Sequence, residues 1–400
     1  MDTAAAQAQP AQLDWNRLAL CHRSEAPGLF RAVAPWSAAA AYRLAVAICG
    51  PSRSGIRFFT LPAVRLFVGE AEIRAPGALL PDERDRSGEG YLRRLQAWAP
   101  DDPVSLEIEA PLIADAAAWR RVRNFLWAWC AHLGCPARPI VAHLLLGRYR
   151  REAAAHRDAA LIFPLSGQVA LTCARSGHPV AAAGAGALLY RPCGEAWQET
   201  GDGSCVALRL GIPRHRVGAT RELLDLFASL LPTERPDGDA VPSLPVRGTG
   251  VDGALELPAA LARNADALGA WVAGASADLA DRVHRLARAS ACALEPVPGR
   301  LALPALASAD RVRTVPGARI LEIPAGEGVR LWAVNGHTLA VDDTPASRAL
   351  RMTLAGGGAW TVDALCGADP ALRAVLAQLQ SVRGVVPDVP AAVGHRDGGP

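Results

Sequence analysis

The chain has 400 residues, half of them hydrophobic and a fifth charged, with a formal net charge of +3. That length exceeds one small core and calls for two or three domains, and so balanced a charge gives no compositional case for a nucleic-acid partner. All 42 positive residues are arginine, which excludes a lysine as Schiff-base former, general base or acid-binding group.

Nine scattered cysteines with no C-x-x-C pair fit reduced, mostly buried thiols in a cytoplasm rather than a disulfide framework. The N-terminus lacks the basic and apolar regions of a signal peptide. No apolar run approaches the roughly 20 residues that span a bilayer, and Ala38 to Gly50 is broken by Arg43. A cytoplasmic protein without membrane association is expected.

Residues 1–139 predict an α/β flank. Ile56 to Leu61 and Val64 to Val68 are rich in β-branched and aromatic residues and read as strands. From Asp115, a capping residue, a helix runs to Leu133 with Trp119, Val122, Phe125, Leu126 and Trp129 at helical spacing, and Gly134 and Pro136 end it. Its tryptophan-rich face reads as core. Over 140–213 the pattern changes to short strands parted by glycine, at 141–146, 160–165, 168–173, 187–190 and 205–210. Such strands at close, regular spacing predict a jelly-roll or barrel core.

Residues 214–295 predict helices at Thr220–Leu231 and Pro258–Ala289. The second carries Leu261, Leu268, Trp271, Val272, Leu279, Val283 and Leu286, more apolar surface than a solvated connector needs. Residues 296–388 predict a further unit, with strands at 320–323, 329–334 and 337–341, then helices at 346–354, 362–365 and 370–382. Residues 389–400 read as a disordered tail. The fold class is α+β, with a two-sheet barrel at its centre.

The chemistry concentrates between His156 and Arg209. His156-Arg-Asp158 sets an imidazole and a carboxylate two residues apart, hence on one face of a strand. Those are two of the three ligands of a facial non-haem Fe(II) triad. No phosphate loop, dinucleotide fingerprint or zinc spacing is present. Cys193 and Cys205 have no histidine positioned by sequence to activate them, which argues against nucleophilic catalysis.

Gly147 through Asp158, the Gly167 turn, Gly186-x5-Pro192-x-Gly194-x-x-Trp197 and the strand ending Arg209-Leu-Gly-Ile together resemble the JmjC-type cupin oxygenases, more closely their bacterial ribosomal-oxygenase-like branch. Val329 to Val341, Arg348-Ala-Leu, Ala359-Trp-Thr-Val and Leu376 to Gln380 look like the winged-helix module that follows the barrel there. The resemblance implies a double-stranded β-helix core, a homodimer, and Fe(II) and 2-oxoglutarate as cofactors in hydroxylating a peptide or protein side chain. It puts the metal on His156 and Asp158 and the co-substrate on Arg209, whose other reading is a salt bridge to a structural acid or an edge position facing water. By position and neighbours, His143 and Trp197 are pocket candidates, His143 otherwise a satisfied core histidine, and Tyr149 and Tyr190 are candidates to hydrogen-bond a ligand carboxylate, otherwise tyrosines with an ordinary buried partner.

One position departs from the pattern. Trp197 stands where the motif closes with a histidine, and indole has no lone pair to give a metal. Gln198, Glu199 or His215 completes the sphere, water fills it, or the site has changed use; Glu199, on the strand face of Trp197, is the better substitute ligand. Two function classes follow, a hydroxylase with an altered metal triad and a non-catalytic cupin that binds a ligand or peptide as an accessory protein. Nucleic acid is not an expected partner, since the helix at 370–382 carries Arg373 as its one charge.

Overall fold

A computed structural model describes residues 13–53, 61–153, 158–175, 179–214, 265–266, 268–270 and 276–388. His156, His178 and His215, the helix expected at 220–231, much of that at 258–289 and nearly all of the strand at 56–61 lie outside these residues.

The first third builds α1 (Trp15–Ser24), β1 (Gly28–Arg31), α2 (Ala38–Arg53), β2 (Ala63–Val68), β3 (Ala71–Glu72), α3 (Gly88–Trp98), β4 (Val104–Glu109) and α4 (Ala116–Leu133). Asp115 caps α4 as its sequence predicts, its carboxylate accepting from the backbone N–H groups of Ala117 and Ala118. Next come β5 (Ile140–Gly147), β6 (Tyr149–Ala153), β7 (Asp158–Ser166), β8 (Val169–Cys173), β9 (Pro179–Ala183), β10 (Ala187–Arg191), β11 (Trp197–Gly201) and β12 (Val206–Pro213). The last part holds α5 (Ser276–Ser290), β13 (Leu294–Glu295), β14 (Arg311–Thr314), β15 (Leu321–Gly326), β16 (Val329–Val334), β17 (His337–Asp342), α6 (Pro345–Ala355), β18 (Ala359–Thr361), α7 (Val362–Cys366), α8 (Pro370–Ser381) and β19 (Val385–Pro387).

Two sheets face each other. The larger runs β1-β10-β7-β12-β5-β4-β2-β3, with β13 added parallel to β5, and the smaller runs β6-β11-β8-β9. All the other pairings in both sheets are antiparallel. Alternation along the large sheet feeds two cores at once. Leu144, Leu161, Phe163, Leu188 and Leu208 pack under the helices. Leu145, Ala160, Ile162, Leu189 and Ala207 meet Tyr149, Val169, Leu171 and Ala183 of the small sheet. Burial on both faces explains why β5, β7 and β12 read as nearly unbroken apolar runs. The arrangement is a cupin-like barrel of mixed α and β structure. The strands expected at 141–146, 160–165, 187–190 and 205–210 all belong to its large sheet, which also recruits β1–β4 from the N-terminal flank.

The C-terminal unit has its own core around Trp332, Leu350, Leu376 and Leu379, with two three-stranded sheets, β18-β14-β19 and β15-β16-β17. Asn335-Gly336 joins β16 to β17 with φ of 54° and 83°, the left-handed pair that a two-residue hairpin turn requires. That turn also docks the unit. Arg123 of α4, wholly buried, donates to the side chain of Asn335, to the Gly317 carbonyl at 2.7 Å and to Asn124 Oδ1 at 2.7 Å. The Asn335 amide in turn donates to the carbonyls of Val382 at 2.8 Å and Arg383 at 3.1 Å. Burial lowers the Arg123 pKa to about 10, yet the side chain stays charged near neutrality, held by neutral acceptors and by the Trp119 ring 5.6 Å away. Arg123→Leu should therefore cost about 3 kcal/mol, since it strands several buried acceptors. Urea unfolding checks this, and a variant as stable as the wild type would contradict the docking role.

Candidate functional site

The space between the sheets opens into two cavities, of about 600 Å³ and about 230 Å³, and Arg191 and Arg209 line both. Strand parity puts them there. Arg191 follows Leu189 by two residues on β10, Arg209 follows Ala207 by two on β12, and both leucine and alanine face the small sheet. Glu107 of β4, His143 of β5 and Arg151 of β6 reach the same space.

Charges in this interior are arranged in linked pairs. Glu107 accepts from His143 Nδ1 at 3.0 Å and from the Arg151 guanidinium. Burial alone would push the Glu107 carboxyl up; the His143 hydrogen bond and the Arg151 charge outweigh it and hold the pKa at about 2. Glu199 of β11 accepts a hydrogen bond from Tyr149 Oη at 3.1 Å and lies 3.4 Å from Arg209 Nε. Gly201 makes room for that arrangement, since a Cβ there would sit 2.3 Å from the Tyr149 ring. Burial, then the Glu199 charge, raises the Tyr149 pKa far above its usual range, so the phenol stays a donor.

Arg191 is the exception. It is 1% exposed, yet among the described residues it forms no ion pair. Its Nη2 donates to the Asp158 carbonyl at 3.2 Å, and its Nε has no partner. Burial, then the neighbouring Arg209 charge, lowers its pKa to about 10.

The residues singled out by sequence fall as follows. Asp158 opens β7, exposed, and borders the smaller cavity. Trp197 is buried opposite Ala153 and Cys173, on the same face of β11 as Glu199, and its Nε1 has no partner. Glu199, expected as a substitute metal ligand, and Arg209, expected as co-substrate anchor, lie against each other. His143 lines the smaller cavity but is held by Glu107. Tyr190 requires a correction. Its place on β10 turns it away from Arg191 and into the helix-side core, where its hydroxyl meets His22 Nδ1 at 2.9 Å, so it lines neither cavity. Sequence reasoning missed Glu107, Arg151 and Arg191. The alternation Val104-Ser-Leu-Glu-Ile-Glu109 carried the signal for the first, and parity with Leu189 carried it for the last.

An Fe(II) site needs three converging donors, and among the described residues no three His, Cys, Asp or Glu side chains gather in that way. The donors nearest the cavity already serve guanidinium and imidazole groups, and three arginines repel a dication. The described residues do not fit the metal that the motif implies.

No protein-family model matches the chain, and no curated protein matches it. Solved structures do. The X-ray structure of Escherichia coli YcfD overlays with a TM-score of 0.50 at 15% identity, covering 95% of this chain and 100% of that one. Another, described as YcfD, a ribosomal oxygenase from Escherichia coli, gives 0.46 at 16% identity over 95% and 100% of the two chains. A third, the same oxygenase in complex with cobalt and 2-oxoglutarate, gives 0.44 at 17% identity over 94% and 99%. At such identities the likeness is one of fold.

Two groups at the barrel contribute to an acid dependence. Burial, then Arg214 and Arg23, lowers the His22 pKa from 6.5 to about 4. Unfolded His22 therefore binds a proton that folded His22 refuses, and stability should fall as pH drops from 6.5 towards 4. Glu107 acts in the next window, its stabilisation being complete above 4.5 and lost on the way down to about 2. Each slope is at most about 1.4 kcal/mol per pH unit. Denaturation across pH should show His22→Phe flattening the first window and Glu107→Gln the second; unchanged profiles would refute the assignment.

Proposed function

We propose that the protein is a cupin-fold binding or accessory protein, a pseudo-oxygenase, rather than a working hydroxylase. The observation that carries this reading is the donor set: Trp197 holds the closing position of the motif, and among the described residues the buried acids at the cavities, Glu107 and Glu199, already serve His143, Arg151, Tyr149 and Arg209. Glu199 is already engaged by Tyr149 and Arg209, so its transfer to a metal would leave a buried guanidinium unpaired. The hydroxylase reading, with Fe(II) on His156 and Asp158 and 2-oxoglutarate on Arg209, draws on the His-x-Asp spacing and on Asp158 bordering the cavity. A peptide or protein partner suits either reading, and we assign the C-terminal unit, as a winged-helix-like module, to contacting it. The alanine-rich segment 258–289 is proposed as a homodimer interface in a cytoplasmic protein; among the described residues no helix is long and apolar enough to cross a membrane.

Two measurements test this. Calorimetric titration of Fe(II) or Mn(II), with and without 2-oxoglutarate, should find weak binding and no turnover in the wild type. Trp197→His should bind metal more tightly, by more than the about tenfold typical of an outer-sphere partner. Tight wild-type binding with 2-oxoglutarate turnover, both lost in His156→Ala, would establish the hydroxylase instead. Light scattering should return twice the chain mass of 41.9 kDa; a monomer across micromolar concentrations would exclude the dimer.

A further inference from the structure

The pseudo-oxygenase reading leaves open what the cavity takes, and the geometry points to a small monocarboxylic acid with an apolar body, anchored by Arg191 without a metal. This inference rests on that reading and gives the site a ligand class.

A buried guanidinium is costly unless an anion meets it. Arg151 is held by Glu107 and Arg209 is ion-paired with Glu199, although the Arg209 Nε, like that of Arg191, makes no hydrogen bond among the described residues. Arg191 has one backbone carbonyl and an unpartnered Nε, although it borders both cavities. Its fork of N–H donors matches a planar carboxylate, which accepts two parallel hydrogen bonds.

Charge fixes the valence. Three buried or half-buried guanidinium groups, those of Arg151, Arg191 and Arg209, stand against Glu107 and Glu199, because the third such carboxylate, Glu109 at the smaller cavity, is taken by Arg65 at 4.0 Å. The other cavity arginines, Arg148 and Arg150, are exposed at the mouth and stand outside this interior count. Asp158 is exposed as well, and its carbonyl is what Arg191 contacts. One negative charge therefore balances the interior, and a phosphate dianion overshoots it. The larger cavity supplies room for the rest of the molecule, since about 600 Å³ lies in the range of small-ligand sites. Phe67, Pro103 and Leu145 on its wall suit an apolar body rather than a second charge.

The test is calorimetry and thermal unfolding of the full chain with phenylacetate as probe, in buffer freed of metal by a chelating resin. Glutarate and inorganic phosphate are the comparators. Phenylacetate should bind saturably and raise the unfolding midpoint, with both comparators weaker. Arg191→Gln should weaken phenylacetate about tenfold to a hundredfold, the range of a hydrogen bond to a charged group. Arg191→Met should unfold no earlier than the wild type in anion-free buffer, because it removes a charge that lacked its partner. An arginine that serves only the fold would give the reverse, an earlier midpoint and no ligand response. Equal phenylacetate binding by wild type and Arg191→Gln overturns the anchor. No binding with or without Fe(II) overturns the carboxylate site and leaves the pseudo-oxygenase reading intact. Binding that appears only after Fe(II) is added overturns both.

Discussion

The two-sided burial of the large sheet governs almost everything else in the molecule. Apart from the exposed Asp158 that opens β7, strands β5, β7, β10 and β12 have no face turned to water, so their residues are committed either to the helix layer or to the barrel. A shift of one residue in any of them would exchange the two sets. Register is thus strongly specified, and the polar residues that fall on barrel-facing positions, His143, Arg191 and Arg209, have nowhere to go but inward. The chemistry of the interior follows from this alternation as directly as the packing does.

Much of the fold could be read from the chain because its signals are local. The helix from Asp115 carries its own cap and stop, the β16–β17 hairpin carries Asn335-Gly336, and the barrel strands are bounded by glycine. What escaped was β4, short and half polar, β6 and β9 of the small sheet, and the recruitment of the N-terminal strands into the barrel's large sheet. Pairing between β4 and β5 is a long-range event that no local pattern encodes. The site was harder still. Parity within β10 separates Tyr190 from Arg191, and a sequence without assigned faces favours the tyrosine because a phenol is the more familiar ligand. Glu199 and Arg209 stood out singly, but their closeness depends on β11 and β12 lying in different sheets.

The same geometry explains how a barrel can tolerate seven ionisable side chains in its interior. Each acid is shared: Glu107 between an imidazole and a guanidinium, Glu199 between a phenol and a guanidinium. Such networks stabilise only while every member is satisfied. Removal of one acid would leave a cation stranded, which makes the acids structural whatever the cavity binds. Arg191 lies outside this mutual arrangement, and Trp197 brings an indole where an imidazole would have added another polar group.

The exclusive use of arginine has a consequence for how the interior behaves over time. A lysine in a similar place can shed its proton when buried, and a histidine can be switched near neutrality. Arg191, even with its pKa brought down to about 10, keeps its charge through every condition a cell imposes. The positive charge at Arg191 is therefore permanent, and acidity cannot turn it off. Whatever occupies the cavity must leave by exchange with another occupant, by taking up a proton itself, or by a parting of the two sheets at the mouth.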